Sequence, residues 1–154
     1  IIGDEIVLYK NYDINISKEK KIINEKLISK FKNSILLKNI NYLIINKWNG
    51  IASQGGSKIS ISIDDILKEY SKNDTKLRLV HRLDKETSGL MVLAANIKSS
   101  RYFYELFSSR KVKKTYFAIV ENKPPKKNGY FIDPILEKGI ALEAKTKYEI
   151  IRNL

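Results

Sequence analysis

The apolar residues of this chain occur in short runs separated by polar residues, and this pattern limits the folds that the chain can adopt. The longest runs contain only a few residues, far below the roughly 20 that a membrane-spanning helix needs. Hydrophobic residues nevertheless make up 43% of the 154 residues, enough to build the core of about one domain. The sequence therefore predicts a soluble cytoplasmic protein without a membrane partner.

The spacing of the apolar residues predicts both helices and strands. Apolar positions at i, i+3, i+4 and i+7 indicate a helix over 63–71, and Ser62 with Asp65 fits a capping box before it. A second helix is expected over 97–109, with Asn96 as its N-cap. The strands that the sequence predicts are 1–9, 40–46, 90–95, 112–120 and 146–151.

Val112–Val120 is the clearest of these strands, because its residues alternate with a period of two. Lys114 and Tyr116 would share one face of this strand, and Phe117 would lie on the other. The final predicted strand, 146–151, has no evident partner in the sequence. Such a strand would leave its backbone hydrogen-bonding groups unpaired.

Basic residues outnumber acidic ones, with 29 Lys and Arg against 17 Asp and Glu and a formal net charge of +12. This balance indicates a polyanionic partner, nucleic acid first and an anionic membrane surface second. Of the basic residues 24 are Lys, which A/T-rich codons also favour, so the five Arg are more informative. The chain has no Cys and one His, which excludes disulfides, thiolate chemistry and a metal centre built on several His.

The segment His81–Leu90 places an imidazole, a guanidinium and a carboxylate within four residues. If this segment is extended, Arg82 and Asp84 point to the same side. A cation there would keep Asp84 ionised, as a nucleophile or base must be. Gly89 permits a positive φ or a close backbone approach. Taken alone, the same residues also fit a surface ion pair followed by an ordinary turn, and both interpretations stay open.

His81–Leu90 resembles the signature of RNA pseudouridine synthases, in particular the branch that modifies large-subunit ribosomal RNA. Leu43–Gly50 is similar to the first motif of that family, a strand ending in Asn-Lys-Pro-x-Gly, with Trp48 in place of Pro. Gln54–Ser57 resembles a His-Gly-Gly-Ser loop of one rRNA-modifying subfamily, with Gln in place of His. Val112–Val120 resembles the Lys-x-Tyr strand of the family.

The resemblance implies an isomerase that converts uridine to pseudouridine in RNA, by breaking the C1′–N1 bond and rejoining the rotated uracil through C5. Asp84 would be the catalytic carboxylate, and Tyr116 would stack on the flipped uracil. Arg82 would enter the vacated space or contact phosphates, and His81 would orient the loop or contact RNA. The other RNA-binding residues that the motifs imply are Asn46, Lys47 and Lys114. Such isomerases need no metal and no organic cofactor.

The resemblance also implies a domain organisation. Residues 1–9 would be the tail of an S4-type RNA-binding domain, and residues 10–39 a linker with room for one helix. Residues 40–154 would be the N-terminal part of an α+β catalytic domain with a mixed, largely antiparallel sheet. Family members carry a later Thr-His-Gln-Ile-Arg motif, whereas the last Arg here, Arg152, has a different context. We therefore expect a fragment that is inactive on its own.

Two other functions stay open at this point. A non-catalytic RNA-binding remnant of a split or decaying gene would keep the basic surface and Arg82 without turnover. A basic peripheral membrane or scaffold protein would need a basic amphipathic helix with a broad apolar face. The helix predicted over 63–71 is short and carries acids, which disfavours that class. The target uridines, protein partners and oligomeric state are not indicated by the sequence.

Overall fold

The computed structural model describes residues 22–56, 59–71, 76–122, 124–137 and 139–152. The chain divides into two compact units, Ile1–Lys113 and Lys114–Leu154. The strand predicted over residues 1–9 lies outside the described residues. Within the described ranges, no helix combines the length and the apolar character that crossing a membrane requires.

The described residues of the first unit form three helices and a four-stranded sheet. Its elements are α1 (Glu25–Asn33), β1 (Ile35–Lys38), β2 (Tyr42–Lys47), α2 (Ile63–Tyr70), β3 (Arg78–Leu79), β4 (Gly89–Ala94) and α3 (Ile97–Ser108). The strands pair antiparallel in the order β1-β2-β4-β3. Strand β2 pairs with β4 from Tyr42 opposite Ala94 to Lys47 opposite Gly89. The turn after β2 and the loop before β4 therefore meet at the same end of the sheet.

The sheet and helices α1 and α2 form the core of the first unit. Alternate residues of the two central strands are buried, as a half-buried sheet requires; these are Leu43, Ile45, Met91 and Leu93. The predicted apolar stripe of α2 is confirmed, since Ile63, Ile66 and Leu67 are all buried. Helix α1 adds Phe31, whose ring meets that of Tyr70 edge to face at 5.0 Å.

Helix capping confirms both of the predicted helices. The Ser62 side chain accepts the Asp65 N–H, and the Asp65 carboxylate accepts the Ser62 N–H. Asn96 caps α3 in the same way, with Ser99 as its reciprocal partner. Each such N-cap contributes about 1 kcal/mol to helix stability. The observed helices end one residue before the predicted ends.

Helix α1 and strand β1 fall within residues 10–39, the range expected to be a linker with room for one helix. The Phe31 side chain is fully buried, so α1 packs as part of the first unit. Strand β1 extends the sheet beyond β2 and was not predicted. The boundaries of the predicted domains stay a prediction.

The described residues of the second unit form two separate two-stranded antiparallel sheets. Its strands are β5 (Asn128–Phe131), β6 (Ile135–Glu137), β7 (Ile140–Leu142) and β8 (Thr146–Glu149). Strand β5 pairs with β8, and β6 pairs with β7. The strand predicted over 146–151 is therefore confirmed as β8. The expectation that it lacks a partner is wrong, because Asn128 to Phe131 supply the opposing backbone groups.

The strand predicted over Val112–Val120 is wrong. Residues 113–120 adopt no regular secondary structure and are exposed. A strand needs a partner backbone for its hydrogen-bond ladder, and no described strand pairs with this segment. The period-two alternation of its side chains does not determine whether another strand lies beside this segment. The fold class is α+β with antiparallel sheets, as predicted.

Candidate active site

The segment that carries Asp84 forms the connection between β3 and β4. Arg82 and Asp84 are exposed, whereas Leu83 between them is buried. The Thr87 N–H donates to the Asp84 carbonyl at 3.1 Å and closes a turn. Strand β4 then begins at Gly89, whose φ is +123°, the first of the two alternatives that the sequence left open for this glycine. We call residues 83–86 the signature loop.

Ser53 holds the first residue of the signature loop from the opposite side of the chain. Its hydroxyl accepts the Leu83 N–H at 2.9 Å and donates to the Leu83 carbonyl. Ser53 is itself buried, so one side chain satisfies both backbone groups of its partner where water has little access. The Ser53 side chain thereby makes the two backbone hydrogen bonds that a neighbouring strand would otherwise make to Leu83, the residue before Asp84.

The turn after β2 holds the other end of the signature loop. The Lys47 ammonium group donates to the carbonyls of Ile51 at 2.8 Å, Trp48 at 3.2 Å and Lys85 at 3.3 Å. Two further hydrogen bonds come from this turn: the Gly50 N–H reaches the Lys85 carbonyl at 2.9 Å, and the Asn49 amide reaches the Glu86 carbonyl at 3.0 Å.

These contacts satisfy all four consecutive carbonyls of the signature loop. Leu83 is held by Ser53, Asp84 by the Thr87 N–H, and the last two residues by the turn after β2. The loop is fixed through its backbone, so the Asp84 side chain needs no contact to hold it and stays exposed. A reactive group on a preordered backbone loses little entropy when substrate binds.

Lys47 was expected to bind RNA, and the structure does not support that role. Its side chain is 0% exposed, and the three carbonyls surround its ammonium group. Burial lowers the pKa of Lys47 below its ordinary value of 10.5, and the carboxylates of Glu86 and Asp84 oppose this shift. Lys47 therefore places a buried positive group beneath the signature loop.

His81 connects the signature to the rest of the first unit. Its Nε2 accepts the Val92 N–H of β4 at 2.9 Å, and its ring stacks on that of Phe107 in α3 at 4.3 Å. The backbone pairing of β3 with β4 ends at Leu79 opposite Leu93. The His81 imidazole then accepts the N–H of the next residue of β4, Val92, in place of a backbone carbonyl. Of the two roles left open for His81, this geometry favours orientation of the loop.

The other predicted site residues occupy both units. Asn46 is exposed on β2, opposite Leu90 of β4. Tyr116 and Lys114 belong to the second unit and are exposed, with Tyr116 at 56%. Their predicted contacts with uracil and the RNA backbone stay predictions.

Sequence reasoning missed Ser53, Asn49 and Gly50, which hold the signature loop through its backbone. The available signal was weak: Asn49 and Gly50 end the first motif, and Ser53 directly precedes the Gln54–Ser57 loop. Their partners lie 30 to 37 residues away in sequence. No local pattern marks a side chain that serves a distant backbone.

The comparisons with known proteins agree with the fold and the motifs. The family model described as RNA pseudouridylate synthase matches residues 41–154. This chain belongs to the RNA pseudouridylate synthase family. It is 39% identical over 132 residues to the ribosomal large subunit pseudouridine synthase C of Rickettsia bellii, covering 82% of this chain and 44% of that relative.

Two further relatives extend the comparison. A mitochondrial pseudouridylate synthase of Rattus norvegicus is 36% identical over 120 residues, covering 75% of this chain and 32% of the rat protein. The solved structure of human RNA pseudouridylate synthase domain containing 4 matches with a TM-score of 0.63 and 28% identity, covering 79% of this chain and 53% of that one. The chain thus spans less than half the length of these curated relatives.

Proposed function

We propose that the protein converts uridine to pseudouridine in RNA, with Asp84 as the catalytic carboxylate and large-subunit ribosomal RNA as the substrate. The observation that carries this proposal is the signature loop, whose four carbonyls are all bonded while Asp84 is exposed. Membership of the pseudouridylate synthase family supports the reaction class. The rRNA-modifying name of the Rickettsia bellii relative supports the choice of substrate.

The reaction is an isomerisation, so the product contains the same atoms as the substrate. The C1′–N1 bond breaks, the uracil rotates, and a C1′–C5 bond forms. The proton on C5 is then lost to solvent, and N1 gains a proton. An ionised carboxylate at Asp84 can attack the sugar, add to the base or remove a sugar proton, and each path starts from an exposed Asp84.

The remaining roles follow from the chemistry of an extruded base. A uridine inside a folded RNA must leave its stack, and an aromatic face can receive it. Tyr116 would provide that face, and Lys114 would contact the RNA backbone. Arg82, two residues before Asp84, would enter the space that the base vacates or contact neighbouring phosphates.

The test is Asp84→Asn in the full-length protein, with unmodified ribosomal RNA that carries tritium at C5 of uridine. We expect release of tritium to disappear, because the amide cannot replace an ionised carboxylate. Glu86→Gln is the matched control, since its exposed carboxylate lies in the same loop and has no role in the proposed reaction. This variant should keep its activity.

Two results would contradict the assignment. Tritium release by Asp84→Asn at the wild-type rate would remove Asp84 from the chemistry. A wild-type protein that binds ribosomal RNA but releases no tritium would instead support a non-catalytic RNA-binding protein.

A further inference from the structure

A groove in the first unit runs between the signature and helix α3. It has a volume of about 530 Å³, within the range of sites that hold small ligands. Its walls include Arg82 on one side and Arg101, Tyr104 and Glu105 of α3 on the other. Asp84 lies two residues beyond Arg82, outside this groove.

We propose that this groove binds the RNA strand next to the target uridine, with Tyr104 stacking on a neighbouring base. The proposal rests on the proposed function, because the link between the groove and the target uridine is Arg82. This residue lines the groove and lies two residues before the proposed catalytic Asp84. The proposal assigns RNA contacts to helix α3, which none of the recognised motifs contains.

The chemistry of the groove fits a single-stranded polyanion with bases. Tyr104 is 67% exposed, so its ring is accessible to a base. Arg82 and Arg101 supply two guanidinium groups, which bind phosphate through paired hydrogen bonds. Glu105 is the one carboxylate among the lining residues, and it can accept hydrogen bonds from a base edge.

A second groove continues the first along the same unit. It has a volume of about 630 Å³ and shares Gln54, Leu79 and Ser100 with the first groove. Its cations are Lys68, Lys76 and Arg78, and its acid is Asp64. The two grooves together carry five cations and two carboxylates, so the strand has a positively charged path in which to continue.

The walls of the first groove are held in place before any ligand binds. His81 stacks on Phe107 of α3 and accepts the Val92 N–H, which fixes the signature against the helix. The capping box of Asn96 and Ser99 fixes the start of the same helix. A preordered groove binds more tightly than one that must form, since less entropy is lost.

Tyr104 and Tyr102 allow a matched test, because they are exposed to 67% and 58% on the same helix. Of the two, Tyr104 lines the first groove, and Tyr102 lines neither of the two grooves described above. Each variant is made in the full-length protein with Asp84→Asn, which separates binding from turnover. The probe is a fluorescein-labelled 12-nucleotide oligouridylate, and anisotropy gives its Kd. We expect Tyr104→Ala to raise the Kd about tenfold, as loss of one stacked base does. Tyr104→Phe should keep wild-type affinity, and Tyr102→Ala should change it less than about twofold.

The salt dependence tests the phosphate contact separately. Arg101→Ala should reduce the slope of log affinity against log salt by about 0.7, the value for one phosphate on a single strand. Lys98→Ala is the control, since Lys98 is exposed on α3 outside both grooves, and its slope should not change.

Equal effects of Tyr104→Ala and Tyr102→Ala would overturn the proposal, as would an unchanged salt slope in Arg101→Ala. Failure of the proposed function gives a different result. In that case tritium release persists in Asp84→Asn or is absent in the wild type, while the anisotropy measurement still reports whether Tyr104 contacts RNA.

Discussion

At the residue scale, the Lys47 ammonium group links the turn after β2 to the signature loop through the Lys85 carbonyl. It donates to three carbonyls and is fully buried. Lys47→Met keeps a long apolar stem but removes all three donors. We expect the free energy of unfolding to fall by about 2 kcal/mol, as when buried acceptors lose their partner. Urea unfolding at neutral pH measures this change, and Lys85→Met is the control, because its side chain is 63% exposed.

The same substitution should alter the pH dependence of stability. Burial lowers the pKa of Lys47, so over the window from that lowered pKa up to 10.5 the unfolded chain binds more protons than the folded chain. Stability from this group therefore rises with pH in that window, and Met cannot titrate. Wild type should gain stability relative to Lys47→Met as the pH approaches 10.5. If the difference in unfolding free energy between wild type and Lys47→Met instead becomes smaller as the pH rises, the ammonium group is not desolvated.

Residue roles were predictable from the sequence only where the motif itself carries the group. Arg82 and Asp84 are exposed in the signature, so both side chains are accessible, and their proposed roles stay predictions. Lys47 was assigned to RNA because its motif implied it, yet its ammonium group serves the backbone of Lys85. Ser53 was not recognised, since its partner Leu83 is 30 residues away. A buried polar side chain acquires its role from the fold.

At the scale of elements, the turn after β2 depends on a backbone conformation that only Gly adopts readily. Gly50 has a φ of +84°, and its N–H donates to the Lys85 carbonyl. A Cβ there would meet no atom within 4 Å, so the cost of Gly50→Ala is backbone strain alone. We expect a loss of about 1–2 kcal/mol in the free energy of unfolding, measured by urea titration.

Gly56→Ala is the matched control for this turn. Its φ lies outside the left-handed region, and an added Cβ would contact the Ile59 side chain at an ordinary 3.5 Å. The unfolding free energy should stay unchanged or rise slightly, because Ala reduces the freedom of the unfolded chain. If both variants lose equal stability, the positive φ of Gly50 is not what the turn requires.

The elements that the sequence predicted correctly are those set by local chemistry. Ser62 and Asn96 fix the starts of α2 and α3 through bonds to residues three positions away. Strands β2 and β4 combine apolar runs with partners in the same sheet. The alternation over 112–120 was just as regular, but a strand also needs a neighbouring backbone. Whether a segment pairs as a strand depends on which other segments the fold places beside it, and the sequence of that segment alone does not determine this.

At the scale of the molecule, the two units differ in how much apolar surface they bury. The first unit has a contiguous core around β2 and β4. Among the described residues of the second unit, many large apolar side chains are exposed; they include Tyr130, Phe131, Ile132, Ile135, Leu136, Ile140 and Leu142. Isolated two-stranded sheets without a buried face are marginally stable in water. The two units should therefore open with different free energies.

Hydrogen exchange of the 154-residue chain measures that difference directly. Backbone amides of β2 and β4 should exchange at least about 100-fold more slowly than those of β5 and β8, because the central strands open only when the core does. Both groups of amides are paired in antiparallel sheets, so the comparison isolates burial from hydrogen bonding. Equal protection of the two pairs would mean that the second unit unfolds together with the first, and that its exposed apolar side chains are not its weak point.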